Sequence, residues 1–107
     1  MIHFVGAGSG AVDLITVRGQ KLLKEADIVV YAGSLVNPEL LKNCQKDCQI
    51  YNSAKMTLEE VMEVMISGEK QEKKVVRLHT GDPCLYGAIK EQMDLLKKEN
   101  ISYKVCP

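Results

Sequence analysis

Five short apolar runs punctuate the chain: Ile2–Val5, Ile28–Tyr31, Gln49–Tyr51, Val75–Leu78 and Tyr103–Cys106. Most are continuous rather than alternating, which is the pattern of strands covered on both faces of a parallel sheet. The segments between them carry helical periodicity. Thr57-Leu58-Glu59-Glu60 reads as a capping box, and Leu58, Val61, Met62 and Met65 follow at i, i+3, i+4 and i+7. They predict a helix from Leu58 to about Ile66, closed by a charged turn over Ser67–Lys74. A second helix is predicted over Ala88–Glu99, with Ile89, Met93 and Leu96 on one side and Lys90, Glu91, Asp94, Lys97 and Lys98 on the other. A third covers Val17–Glu25, and Pro38 opens a short fourth before Leu40 and Leu41. Strands alternating with helices predict an α/β fold with an open, mostly parallel five-stranded sheet flanked by helices. Ligands of such sheets bind beyond the carboxyl ends of the strands. The segments to inspect are therefore Gly6–Asp13, Ala32–Asn37, Asn52–Met56 and His79–Gly87.

Composition narrows the partner class. The 107 residues are 46% hydrophobic, enough for a packed core, so wholesale disorder is excluded. Lys plus Arg and Asp plus Glu both number 14, which removes the electrostatic footprint of a nucleic-acid binder. Aromatics at 5% are too few for base-stacking platforms. No apolar stretch approaches the roughly 20 residues that cross a bilayer. Met1-Ile2-His3-Phe4-Val5-Gly6 lacks the basic start and apolar region of a secretory signal, so a soluble cytoplasmic protein without membrane partners is expected. The cysteines are Cys44, Cys48, Cys84 and Cys106. Cys44-x-x-x-Cys48 lacks the two-residue spacing of zinc knuckles and redox motifs, so free thiols and no metal are expected.

Two loops carry unusual sequence. Gly6-Ala7-Gly8-Ser9-Gly10-Ala11 follows the first strand, and its glycines allow positive φ and close approach of a ligand to backbone N–H groups. It also satisfies a relaxed dinucleotide fingerprint. That fingerprint needs an acid at the end of the second strand, yet Asp27 stands at its beginning, and Val12-Asp13-Leu14-Ile15-Thr16 delays the helix. Nicotinamide or flavin binding is disfavoured accordingly. The second loop, His79-Thr80-Gly81-Asp82-Pro83-Cys84-Leu85-Tyr86-Gly87, makes a sharp turn at a strand end, with Asp82 held extended before proline. Taken alone, this is a structural turn.

Together, the glycine-rich opening and the Gly81-Asp82-Pro83 turn resemble the tetrapyrrole methylase family, whose members carry a glycine-rich opening and a later G-D-P-x-x-[FY]-G motif. Asp13-Leu14-Ile15-Thr16, Ala26-Asp27-Ile28-Val29-Val30-Tyr31 and Val75-Val76-Arg77-Leu78 extend the resemblance over the whole chain. Tyr31-Ala32-Gly33-Ser34-Leu35-Val36-Asn37-Pro38, Ser53-Ala54-Lys55-Met56-Thr57-Leu58-Glu59-Glu60 and His79-Thr80-Gly81-Asp82-Pro83 look like the members that methylate C(11) of precorrin-4, or its cobalt form, in cobalamin synthesis.

The resemblance implies a two-domain homodimeric enzyme with S-adenosyl-L-methionine between its domains, S-adenosyl-L-homocysteine as product and a small-molecule tetrapyrrole as substrate. This chain would be the N-terminal domain, since it stops at Val105-Cys106-Pro107, where the family continues into a second domain. The cofactor contacts implied are Ser9, Thr80, Gly81, Asp82 and Leu85, and the substrate contacts implied are Gly8, Gly10, Gly33, Ser34, Ser53 and Met56. Ser9 replaces the family's opening-loop proline. Ala11 and Ala32 stand where various relatives carry aspartate, so no general base is assigned. Arg18, Lys55 and Arg77 are the candidate cations for an acidic macrocycle, and His79 reads as a hydrogen-bonded strand-end histidine. The competing expectation is a non-catalytic Rossmann-like nucleotide-binding or dimerisation module.

Overall fold

All five apolar runs form strands: β1 (Ile2–Gly6), β2 (Ile28–Tyr31), β3 (Gln49–Asn52), β4 (Val75–His79) and β5 (Tyr103–Cys106). The computed structural model describes residues 1–6, 15–31, 38–79 and 87–106. Strand order is β3-β2-β4-β1-β5, and every pairing among the described residues is parallel. The sheet is thus parallel throughout those residues rather than mostly so. Each strand is reached by a crossover that carries the chain back to the same starting edge. Helix α1 (Val17–Glu25) joins β1 to β2, and a 3-10 helix (Pro38–Asn43) lies between β2 and β3. Helix α2 (Leu58–Lys70) joins β3 to β4, and α3 (Gly87–Lys98) joins β4 to β5.

Both faces of the sheet are covered at its central strands β1, β2 and β4, which is why these read as mostly apolar runs. Ile2, Phe4, Ile28, Val30 and Val75 pack with Val61, Met62 and Met65 of α2 and Ile89, Met93 and Leu96 of α3. Val5, Val29, Val76 and Leu78 pack on the opposite face with Leu23, Ala26 and Leu40.

Local signals set the helix starts. Thr16 caps α1 by accepting from the Gly19 N–H at 3.0 Å. The Thr57–Glu60 capping box is complete: the Glu60 N–H donates to Thr57 Oγ1 at 3.1 Å and the Thr57 N–H to Glu60 Oε1 at 2.9 Å. The end of α2 departs from expectation. Instead of closing near Ile66, the helix runs through Ser67 and Gly68 to Lys70. Gly68 faces the sheet so closely that a Cβ there would stand 2.8 Å from both Ile28 Cδ1 and Val75 Cγ2. Packing of that bare backbone on the sheet outweighs the roughly 1 kcal/mol helix penalty of glycine. Glu72 then ends the helix in the left-handed region, at φ 60°, with the Lys73 N–H donating to Gly68 O at 3.0 Å.

Asp27 sits at the amino edge of the sheet. Its carboxylate accepts from the Lys74 N–H at 2.8 Å and from Gln45 Nε2 at 3.4 Å. It is a turn brace, on the edge opposite to a ribose-binding acid.

His3 on β1 lies among Leu22, Glu25, Lys74 and Val76. Burial pulls its imidazole below the ordinary range; the amino terminus, Lys104 and Arg18 push the same way, against Glu69. A lowered folded value means that the unfolded chain takes up the proton first on acidification. This contribution is therefore intact above the ordinary histidine range of about 6.5 and is lost as pH falls below it. His3→Gln is expected to flatten the loss of stability between about pH 7.5 and about pH 5.5, read from urea midpoints at the two values. An unchanged slope would assign that loss to other groups.

Candidate functional site

Because the strands run parallel, their carboxyl ends share one edge. The register sets Gly6 beside His79, Leu78 beside Tyr31, and Tyr31 beside Asn52. The glycine-rich segment and the Gly-Asp-Pro segment, far apart in sequence, therefore leave the sheet from neighbouring positions on β1 and β4. Gly8, Ser9, Gly10, Gly33, Ser34, Thr80, Gly81, Asp82 and Leu85 lie outside the described residues.

Ser53 and Met56 are described, and the structure sends them in different directions. After β3, the Asn52 side chain accepts from the Ala54 N–H at 3.0 Å and starts a single 3-10 turn, Ser53–Lys55, which closes with the Met56 N–H on Ser53 O at 3.1 Å. Ser53 faces the strand ends: its hydroxyl donates to Tyr31 O at 2.9 Å. Met56 packs against the α2–α3 core and lines an open groove of about 600 Å³ between β3 and α2, with Tyr51, Glu60 and Gly68. The predicted wall is thus split between the strand-end edge and the flank.

The three candidate cations also separate. Arg18 and Lys55 are exposed. Arg77 is only 4% exposed. On β4 it shares the face of Val75, pointing toward α3, so it is not a surface cation. Its Nη1 donates to Leu78 O at 2.9 Å, its Nε to Gln92 Oε1 at 3.2 Å, and its Nη2 makes a longer 3.4 Å contact with Ser53 Oγ. Among the described residues no carboxylate pairs with it. Burial pulls Arg77 down to about 10, which leaves it cationic at neutral pH.

Gln92 escaped the sequence reading. It lies at i+3 from Ile89 and one residue before Met93, within the buried stripe of α3, and is itself only 4% exposed. A polar residue at an apolar stripe position is a signal for a buried partner. The arginine inside Val75–Leu78 was the matching signal on the strand.

Cys44, Cys48 and Cys106 are free thiols; Cys84 is outside the described residues. Burial, with Cys44 alongside, pushes the Cys48 thiol up to about 12, away from nucleophilic use near neutral pH. Among the described residues no three His, Cys, Asp or Glu side chains gather to hold a metal ion, and no helix is long and apolar enough to cross a membrane.

Comparison with known proteins gives this arrangement its context. Residues 1–107 match the family described as Tetrapyrrole (Corrin/Porphyrin) Methylases. The chain is 56% identical over 106 residues to a cobalt-precorrin-4 C(11)-methyltransferase of Methanocaldococcus jannaschii, covering 99% of this chain and 41% of that protein. The X-ray structure of a cobalt precorrin-4 methyltransferase, a cobalamin biosynthetic enzyme, superposes with a TM-score of 0.93 at 46% identity, covering 99% of this chain and 44% of that one. A uroporphyrin-III C-methyl transferase from Thermus thermophilus, complexed with S-adenyl homocysteine, superposes at 0.81 with 29% identity, covering 99% and 43%. The chain thus spans about two fifths of the length of these relatives.

Proposed function

The chain belongs to the tetrapyrrole (corrin/porphyrin) methylase family, and on that premise we propose that it is the N-terminal domain of a methyltransferase acting on C(11) of cobalt-precorrin-4 or precorrin-4 in cobalamin biosynthesis. The whole enzyme is a cytoplasmic homodimer of two-domain subunits and uses neither nucleic acid nor membrane as a partner. Balanced charge supports that last reading. The identity to cobalt-precorrin-4 methyltransferases supports the substrate.

The observation that carries the reading is the register of Gly6 with His79, which starts the two motif-bearing segments side by side at the carboxyl edge of a parallel sheet. That edge fits the cofactor: the glycine-rich sequence follows directly on Gly6 at the end of β1, and Gly81-Asp82 comes two residues after His79, the last residue of β4, in sequence. Ser9, Thr80, Gly81, Asp82 and Leu85 hold S-adenosyl-L-methionine, whose sulfonium supplies an electrophilic methyl group when bound. Gly8, Gly10, Gly33, Ser34, Ser53 and Met56 line the macrocycle. The protein's part is to hold the methyl group in line with a nucleophilic carbon and to exclude water, which needs position more than acid–base side chains. S-adenosyl-L-homocysteine leaves as product.

Calorimetry on the intact gene product tests this. S-adenosyl-L-homocysteine is expected to bind, and Asp82→Ala to weaken it at least about tenfold, the effect of losing a hydrogen bond to a charged group. Unchanged affinity in Asp82→Ala would remove Asp82 from the site. Protection of the protein by NADH, with no binding of S-adenosyl-L-homocysteine, would overturn the reading in favour of a Rossmann-like nucleotide-binding module.

A further inference from the structure

We infer that Arg77 is a positioning residue that clasps the root of the Gly-Asp-Pro segment to the roots of the segments after β2 and β3, and so sets the alignment of methyl donor with methyl acceptor. The inference rests on the proposed methyl transfer and deepens it by naming the side chain that holds the two sets of binding segments in one frame.

Tyr31 and Leu78 are the last register pair between β2 and β4. Both of their carbonyls accept from side chains: Leu78 O from Arg77 Nη1 at 2.9 Å, and Tyr31 O from the Ser53 hydroxyl at 2.9 Å. The two donors are themselves joined, Arg77 Nη2 to Ser53 Oγ at 3.4 Å. A path of hydrogen bonds therefore crosses the end of the sheet, from β4 through the turn after β3 to β2. The guanidinium makes one more bond, Nε to Gln92 Oε1 at 3.2 Å, on the helix that starts at Gly87 where the Gly-Asp-Pro segment ends. Arg77 is thus bonded on both sides of that segment, to Leu78 before it and to Gln92 after it. Through Ser53 it also reaches the points where the two substrate segments begin.

Backbone pairing does not supply this link. β3 pairs with β2 and not with β4, so the turn that starts at Ser53 is tied to β4 through side chains. A planar guanidinium holds its donors at fixed angles, which fixes its three acceptors relative to one another; the single ammonium of a lysine lacks that fork. Arg77 and Gln92 are each only 4% exposed, and hydrogen bonds from a buried cation are stronger than those in water. Stability alone does not call for such a group, because apolar residues of similar shape replace buried ions at little cost. Methyl transfer does call for it: a misplacement of about 1 Å costs on the order of a hundredfold in rate.

The test uses the intact gene product, with cobalt-precorrin-4 as methyl acceptor, S-adenosyl-L-methionine as donor and S-adenosyl-L-homocysteine as binding probe. Ser53→Ala and Arg77→Lys are each expected to slow single-turnover methyl transfer at saturating substrates by about ten- to a hundredfold. The substrate KM and the S-adenosyl-L-homocysteine Kd stay within about threefold of wild type. The double variant is no slower than the slower single, because both changes break one clasp. Ser53→Thr keeps the hydroxyl and returns the rate to within about threefold. Hydrogen exchange reads the clasp without turnover: S-adenosyl-L-homocysteine slows exchange in residues 51–56 as well as 80–87 in the wild type, and in 80–87 alone in Ser53→Ala. Single variants with unchanged single-turnover rates, or factors that multiply in the double, overturn the inference. So does a loss that falls on KM with the rate intact, which would make Ser53 a direct ligand contact, or on thermal stability alone. Should Arg77→Lys fail to fold, the Ser53 variants and the exchange pattern decide. An active wild type with unaffected variants overturns this inference alone. A wild type that binds no S-adenosyl-L-homocysteine and methylates no tetrapyrrole overturns the functional reading, and this inference with it.

Discussion

Phe4→Ala is expected to cost about 3–5 kcal/mol of unfolding free energy, the range for removing a buried phenylalanine. Whole domains are stable by only about 5–15 kcal/mol, so the variant should sit near the edge of folding. Phe4 is fully buried on β1, flanked in register by Arg77 of β4 and Val105 of β5. Its ring meets Tyr103 edge-on, centroids 5.5 Å apart and planes at 77°, an arrangement that adds to area burial. It is the only phenylalanine in the chain, and there is no tryptophan. The other fully or nearly fully buried residues of this core are aliphatic or methionine. Methionine at positions 62, 65 and 93 can relax partly into a void, which favours the lower half of the range. Urea unfolding at constant m value is the measurement. Phe4→Leu should lose less than half as much, and a Phe4→Ala loss below about 1 kcal/mol would mean that the core collapses around the gap.

Gln92→Leu should destabilise the protein by about 2 kcal/mol, although it places a better hydrophobe in an apolar stripe. The leucine gains at most about 1–2 kcal/mol, since Gln92 already buries its stem. Against that, the Arg77 Nε–H loses its acceptor at 3.2 Å while the guanidinium stays buried. A buried donor left without a partner costs about 1–3 kcal/mol, and more when it is charged. The penalty wins. The double variant Arg77→Met with Gln92→Leu removes both sides of the contact and should recover at least half the loss, because apolar pairs of similar shape replace buried ions at little cost. Urea midpoints of the two singles and the double give the coupling. A Gln92→Leu protein as stable as wild type would show that the guanidinium finds another acceptor at the end of β4.

These two positions also mark how far sequence reasoning reaches. Phe4 was legible as core, because it lies in a continuous apolar run and a one-residue neighbourhood suffices to see that. Gln92 was not, because its reason for being buried lies on another element: Arg77 is 15 residues away and Ser53 is 24 residues from Arg77. Arg77, grouped by charge with Arg18 and Lys55, read as a candidate cation for an acidic ligand. Its burial follows only from the face of β4 that α3 covers. The C-terminal turn of α2 failed for a related reason. Ser67-Gly68 reads as a helix stop on propensity alone, and only the closeness of Ile28 and Val75 makes glycine the residue that lets the helix continue.

The candidate site divides in the same way. Its motifs were readable as strings, and their place at the carboxyl ends of strands followed from the alternation of elements. What brings them together is the strand order. β4 inserts between β2 and β1, so residue 79 stands beside residue 6. Nothing in either segment encodes that adjacency.

By itself, the sequence determined the kinds of element and most of their bounds, the double-sided burial of the strands and the helix caps, because periodicity and hydrogen-bond geometry act over a few residues. Only the tertiary structure decided which strands neighbour one another and that Arg77, Gln92 and Ser53 form one hydrogen-bonded polar cluster. Those outcomes depend on contacts between residues distant in the chain, where the stability of each group is set by the partner that packing delivers.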